Sequence, residues 1–216
     1  MTIQRNGSPP FFDVAVVGAG PAGSSAAYHL ASAGIKTAIL EKETLPRVKF
    51  CAGGIPESAF HIIPAGELAE KAIKLDKYHF AHRGEKHKTG LIKDKIYSVE
   101  RDLFDRALTE KASEAGALLF EGCRARDIKQ DDGMIHVECL NGKVFKCRYL
   151  IGADGGHSTV ARLSGLMPGS GGKMGFCAYY EFKPDEKTLE SLRTTAYLDF
   201  NFMPGSFAGI IPKREY

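Results

Sequence analysis

The apolar positions of the chain fall into runs whose period changes from element to element. Asp13 to Val17 is a short β-branched run suited to a strand buried on both faces. A helix pattern of small residues follows from about Pro21 to Ala33, and Thr37 to Leu40 makes a second strand. Leu45 to Gly54, LPRVKFCAGG, is punctuated by Pro and Gly and reads as a loop. Helices are expected near Pro56 to Ile63 and near Glu67 to Ile73. Tyr78 to Arg83, Lys88 to Ile92 and Lys95 to Val99 have the look of short strands in a separate sheet. Arg101 to Gly116 is an amphipathic helix with Leu103, Phe104, Ala107, Leu108 and Ala112 on one face and Gly116 as its stop. A strand at Leu118 to Phe120 precedes a meander of Ala125 to Lys129, Met134 to Leu140 and Lys143 to Lys146. Asn141-Gly142 predicts a type I′ turn within it. Tyr149 to Ala153 is a further apolar strand, ending in Asp154-Gly155, with a helix from near Ser158. From Gly175 onward, GFCAYYEF, TAYLDFNF and FAGIIP read as strands of a second sheet.

The first three elements frame the clearest chemistry. Gly18-Ala-Gly20-Pro-Ala-Gly23 fits G-x-G-x-x-G between a strand and a helix. Gly18 permits the tight turn, Gly20 lets backbone approach a pyrophosphate, and Gly23 lets helix pack close to strand. Phosphates would then sit at the positive end of the helix. Glu41, at the end of the second strand, is placed to accept hydrogen bonds from ribose hydroxyls and to repel a 2′-phosphate. A βαβ unit with a merely glycine-rich turn is the plain alternative. The strand before, the helix after and the acid at the right distance all favour a dinucleotide.

Composition narrows the remaining choices. At 216 residues and 44% hydrophobic content the chain can bury one sizeable core, or one domain and part of another. The net charge of +3 is small, and the basic segment 82–88, HRGEKHK, lacks interleaved aromatics, so no nucleic-acid partner is expected. Five cysteines without a C-x-x-C pair argue against zinc or a disulfide framework and fit a reducing, cytoplasmic compartment. His157 and the grouped His79, His82 and His87 do not have metal-ligand spacing, so no metal is expected. No apolar stretch has signal-peptide or membrane-spanning length, which leaves a peripheral membrane contact open.

Three elements in order carry a family resemblance: the N-terminal dinucleotide unit, the Arg-led helix VERDLFDRAL (99–108) and GADGGHSTVAR (152–162). The order resembles FAD-dependent monooxygenases and reductases of the para-hydroxybenzoate hydroxylase fold. PRVKFCAGGIP (46–56) is similar to the P-R-x-K-x-C-G-G stretch of geranylgeranyl reductases, and PGSFAGIIPK (204–213) to their P-G-x-Y-x-W-x-F-P-K. The likeness runs from residue 11 to 213. It implies an α/β fold in which a Rossmann-like FAD-binding domain (11–75 and 100–165) is interleaved with a β-rich substrate domain (76–99 and 166–216). It also implies FAD contacts at Gly18, Gly20, Ala22, Gly23, Glu41, Arg47, Cys51, Ala52, Gly54, Arg101, Ala125 and Asp154, with Cys51 catalytic as well. The activity implied is reduction of isolated C=C bonds in a geranylgeranyl group, the substrate being an isoprenoid or prenyl lipid. Electrons would come from a visiting NAD(P)H or ferredoxin-type donor, because no second G-x-G-x-x-G is present.

Two departures qualify the resemblance. Phe207, Gly209 and Ile211 occupy the Y-x-W-x-F positions and thin the aromatic wall expected against a polyprenyl chain. A second Gly-Asp motif found in relatives is absent, so the chain is expected to be C-terminally incomplete, to hold FAD weakly, to associate, and to need a second polypeptide. A monooxygenase of a small apolar substrate and a non-catalytic FAD-binding fragment are the alternatives. Single residues also have plainer readings. Cys51 reads either as a small packed residue or as a thiol activated by Arg47 and Lys49. Arg101, a cation where a helix start disfavours one, implies an anionic partner. Asp154 is either a helix cap or a cofactor neighbour.

Overall fold

The apolar run Val14 to Val17 needs cover on both faces, and strand β1, Phe11–Val17, receives it. In the computed structural model, which describes residues 8–63, 72–167 and 177–213, Val14 and Val16 pack on one side with Ala27, Ala31 and Ala112. Phe12, Ala15 and Val17 pack on the other with Val137, Phe145 and Cys147. The chain divides into two units, Met1–Arg47 with Asp105–Gly175 and Val48–Phe104 with Phe176–Tyr216.

The first unit is built on a six-stranded sheet of order β6-β2-β1-β9-β8-β7. Its strands are β1, β2 (Thr37–Leu40), β6 (Leu118–Phe120), β7 (Ala125–Asp131), β8 (Met134–Cys139) and β9 (Val144–Gly152). β1 pairs in parallel with β2 and β9, and β2 with β6, while β7, β8 and β9 form an antiparallel meander. Helix α1, Pro21–Ser32, covers one face with its small residues, which is what lets it lie close to the strands. The segments Lys143 to Lys146 and Tyr149 to Ala153 are one continuous strand, β9. Asn141-Gly142 does not form the type I′ turn that its dipeptide predicts, because only Gly142 has positive φ (+80°). The Asn141 side chain accepts the Lys143 N–H and donates to the Gly122 carbonyl, giving a three-residue loop that closes with glycine. Type I′ geometry occurs instead at Asp132-Gly133, where both residues have positive φ.

The helix led by Arg101, α2 (Arg101–Glu114), buries Phe104, Asp105, Leu108, Thr109 and Ala112. Leu103, expected on the apolar face, is exposed, and two polar residues take part in the buried stripe. Each has a partner: Thr109 Oγ1 meets Ser24 Oγ of α1 at 2.8 Å, and Asp105 meets Arg47. Ser158 caps the short helix α3, Thr159–Leu163, by accepting the Ala161 N–H.

The second unit carries a five-stranded sheet of order β11-β10-β4-β5-β3. These are β3 (Gly54–Pro56), β4 (Ile73–His82), β5 (Glu85–Ser98), β10 (Thr195–Phe200) and β11 (Phe207–Ile210). Residues 48–63 and 72–75, which the resemblance groups with the nucleotide layer, fall in this unit, where β3 and the start of β4 hydrogen-bond to the end of β5. The expected strands at 88–92 and 95–99 are one bulged strand, and a 3-10 turn, Glu57–His61, stands where the first of two helices was expected. The second, Glu67 to Ile73, lies mostly outside the described residues, although Ile73 itself opens β4. GFCAYYEF forms no strand over its described residues, 177–182, and a helix the sequence did not disclose, α4 (Glu186–Leu192), is capped by Asp185.

Candidate functional site

Two sites follow, one in each unit. In the first, Gly18 adopts φ +103°, and a Cβ there would run into the Ala153 carbonyl. A Cβ at Gly23 would collide with the Gly18 carbonyl oxygen. These two glycines therefore close the turn and seat the helix, as the spacing predicts. Gly20 differs: a Cβ would find only Arg47 Nη2, 3.9 Å away, so the outer side of the loop is open and faces a cation. Gly20 is the N-cap of α1 with no side-chain cap, Pro21 follows it, and Ala22 is exposed in the first turn. An open backbone cradle, a helix N-terminus and a guanidinium together fit a pyrophosphate.

Glu41 is buried, at 2% exposure, and its carboxylate is already engaged. Oε2 accepts the Ala19 N–H at 2.7 Å and Oε1 the Glu43 N–H at 3.1 Å, with Arg47 Nε 3.4 Å from Oε1. The acid thus holds the glycine loop to the end of β2, and each oxygen keeps a lone pair for a ribose hydroxyl. Arg47 also donates to Asp105 Oδ2 at 3.0 Å. The guanidinium thus lies between two carboxylates, with Nε making no hydrogen bond and Nη2 facing the Gly20 backbone.

Asp154 lies next to the Gly18 turn and performs the capping role: Oδ2 accepts the N–H groups of Thr159 at 2.6 Å and Val160 at 3.2 Å, and Oδ1 accepts from the Ser158 hydroxyl. Ala125 opens β7 with its methyl group buried in the core.

In the second unit, Cys51, Ala52, Gly54 and Arg101 come together at a turn. The Cys51 sulfur accepts the Gly53 N–H at 3.4 Å and the side chain of Arg101 bonds to it. Burial pushes the thiol up, but the Gly53 N–H, Arg101 and Lys213 outweigh it and hold the thiol below its ordinary value. The cations acting on Cys51 are therefore Arg101 and Lys213, rather than Arg47 and Lys49 as the sequence implied. Arg101, the first residue of α2, has the Cys51 sulfur as a hydrogen-bond partner. The turn opens on a cleft of about 240 Å³ whose lining includes Phe50, Glu100, Tyr179 and Glu181. Tyr179 donates to Glu181 at 2.8 Å, and burial, then that carboxylate, raises its pKa.

A second, larger and mostly apolar groove of about 490 Å³ lies on the five-stranded sheet, lined by Leu75, Tyr78, Phe80, Leu91, Ala196 and Leu198 among others, with Gly54 at its edge. Tyr78 lies over its cross-strand partner Gly90, where a Cβ would strike the ring, and its ring is tilted by 32° against that of Phe80 with centroids 4.4 Å apart. Asp105 and Lys213 are the site residues the sequence reading passed over. Asp105 had a signal, as a charge between Phe104 and Leu108 on the buried stripe, and Lys213 closes the PGSFAGIIPK segment.

A glycine cradle, a buried acid at the end of the second strand and a second, β-rich unit in the chain define a flavoprotein-type dinucleotide fold. The chain matches the family model described as FAD binding domain over residues 12–209, and it belongs to that family. Among curated proteins it is 35% identical to digeranylgeranylglycerophospholipid reductase 2 of Methanopyrus kandleri, over 94% of this chain and 52% of that one. It is 33% identical to digeranylgeranylglycerophospholipid reductase of Methanocaldococcus jannaschii, over 94% and 53%. The chain thus spans about half the length of these relatives. Among solved structures, a flavoprotein/dehydrogenase from Cytophaga hutchinsonii has the same fold, with TM-score 0.72, 24% identity, and 94% of this chain and 53% of that one covered. Among the described residues no helix is long and apolar enough to cross a membrane.

Proposed function

We propose that this chain is the FAD-holding part of a reductase acting on isolated C=C bonds of a geranylgeranyl group. The observation that carries the reading is the 46–56 segment, PRVKFCAGGIP, whose structure presents a thiol beside Arg101 at an open cleft. Its similarity to digeranylgeranylglycerophospholipid reductases over most of its length supports the same substrate class.

Each part of the chain has a task in this reading. The Gly18–Gly23 loop and Arg47 bind the pyrophosphate, and Glu41 orients the ribose. FAD held there would supply hydride-transfer chemistry, with a proton needed to balance the saturated alkene. The groove bounded by Leu75, Tyr78, Phe80 and Leu198 offers an isoprenoid a dry surface, at roughly 25 cal/mol per Å² of apolar area removed from water. An NAD(P)H or ferredoxin-type donor, a cytoplasmic location and peripheral contact with the membrane that carries a prenyl lipid belong to the same proposal.

One observation favours a second reading, a flavin monooxygenase of a small apolar substrate. Phe207 is exposed, and Gly209 offers no side chain beside Leu198, so β11 contributes little aromatic wall. Anaerobic assay of the protein extended to the length of its relatives, with reduced flavin and a geranylgeranyl lipid, separates the two. Saturated product without oxygen supports the reductase, whereas turnover only with oxygen consumption supports the monooxygenase.

A further inference from the structure

After β11 the chain returns along the end of β5. The buried Ser98 hydroxyl donates to the Pro212 carbonyl at 2.9 Å, which fixes where the next side chain enters. Lys213 Nζ then donates to the carbonyls of Ala52 and Val99, at 2.7 Å each. Val99 in turn donates its N–H to the Gly53 carbonyl at 3.1 Å. Gly53 has φ +71°, and a Cβ there would meet both the Val99 carbonyl and the Lys213 ammonium. Segments from three parts of the sequence thus lock a single turn, whose Gly53 N–H points at the Cys51 sulfur.

A half-buried ammonium is costly when the atoms it bonds are neutral carbonyls, and burial accordingly lowers the pKa of Lys213. The negative charges that favour its protonated form are Glu100, the Cys51 sulfur and Glu181. Around the sulfur stand Lys49 on its own loop, Glu100, Arg101 and Asp102 at the start of α2, and Tyr179 with Glu181 from the following segment.

We propose that Lys213 is a positioning residue: by bridging the Ala52 and Val99 carbonyls it fixes the Cys51–Gly53 turn and presents the Cys51 sulfur, beside Arg101, as a nucleophile at the cleft. Lys213 plays this part whatever the substrate. Alkylation of the 216-residue chain by iodoacetamide, followed across pH by peptide mapping of Cys51, tests it directly. Cys51 should react with a midpoint below that of glutathione in the same solution. Lys213→Met should raise that midpoint by about one pH unit, and Lys213→Arg should restore most of the shift. Circular dichroism checks that the variants fold, and Lys213→Gln carries the comparison if Lys213→Met does not. An unchanged midpoint in a folded, uncharged variant would overturn the proposal. A wild-type midpoint at or above that of glutathione would overturn it without any variant.

Discussion

Glu41 does two jobs with one carboxylate, and a substitution there separates them. Its contact with the Ala19 N–H is buried and charge-assisted, so Glu41→Ala should destabilise the folded chain by about 1–3 kcal/mol. It should also leave Arg47 with only Asp105 as a counter-charge. Denaturant melts of the ligand-free protein read the first effect, and the added loss of FAD affinity reads the second. Gly23→Ala is a purer steric test, since the new methyl group meets the Gly18 carbonyl rather than a yielding side chain. The helix must move away from the strand, at a cost of about 1–3 kcal/mol, and the cradle must widen. Loss of FAD binding with a lowered melting midpoint is the expected result; wild-type binding would mean that the turn has slack that the structure does not show. The glycines and Glu41 were legible in the sequence because each answers a local demand of backbone geometry. Lys213 was not, since its partners lie 161 and 114 residues away.

At the level of elements, the sequence read well where one period governed a whole segment. β1, α1 and β2 stand where their patterns place them, because small and β-branched residues buried on both faces leave little choice. It read poorly where polar residues take buried places. Asp105 and Thr109 displaced Leu103 from the inward stripe of α2 because Arg47 and Ser24 satisfy them there. The Asn141 turn failed for a related reason, a side chain tied to the carbonyl of Gly122 rather than free to choose its backbone state. Helix α3 has few residues and relies on its caps. Asp154→Ala removes acceptors for two backbone N–H groups and should cost about 0.5–2 kcal/mol, with Asp154→Asn milder. Chemical denaturation checks this, and an equal loss in both variants would show that charge, rather than the hydrogen-bond acceptor, is what the helix start needs.

For the whole molecule, Cys147, buried in the core of the first unit, gives folding an alkaline limit. Burial pushes the Cys147 thiol up to about 11. An unfolded chain loses that proton at lower pH, so the contribution is complete below about 9 and is lost as pH rises toward 11. Stability should fall across that window by on the order of 2 kcal/mol, and Cys147→Ala should flatten the decline. The central claim is that the first unit holds FAD through its pyrophosphate and adenosine half, at the Gly18–Gly23 loop. Equilibrium dialysis of the chain against FAD, FMN and NAD⁺ tests it most directly. The structure predicts that FAD is retained, that FMN, lacking the adenosine half, is not, and that Gly23→Ala abolishes the difference. Retention of FMN as strongly as FAD would contradict it.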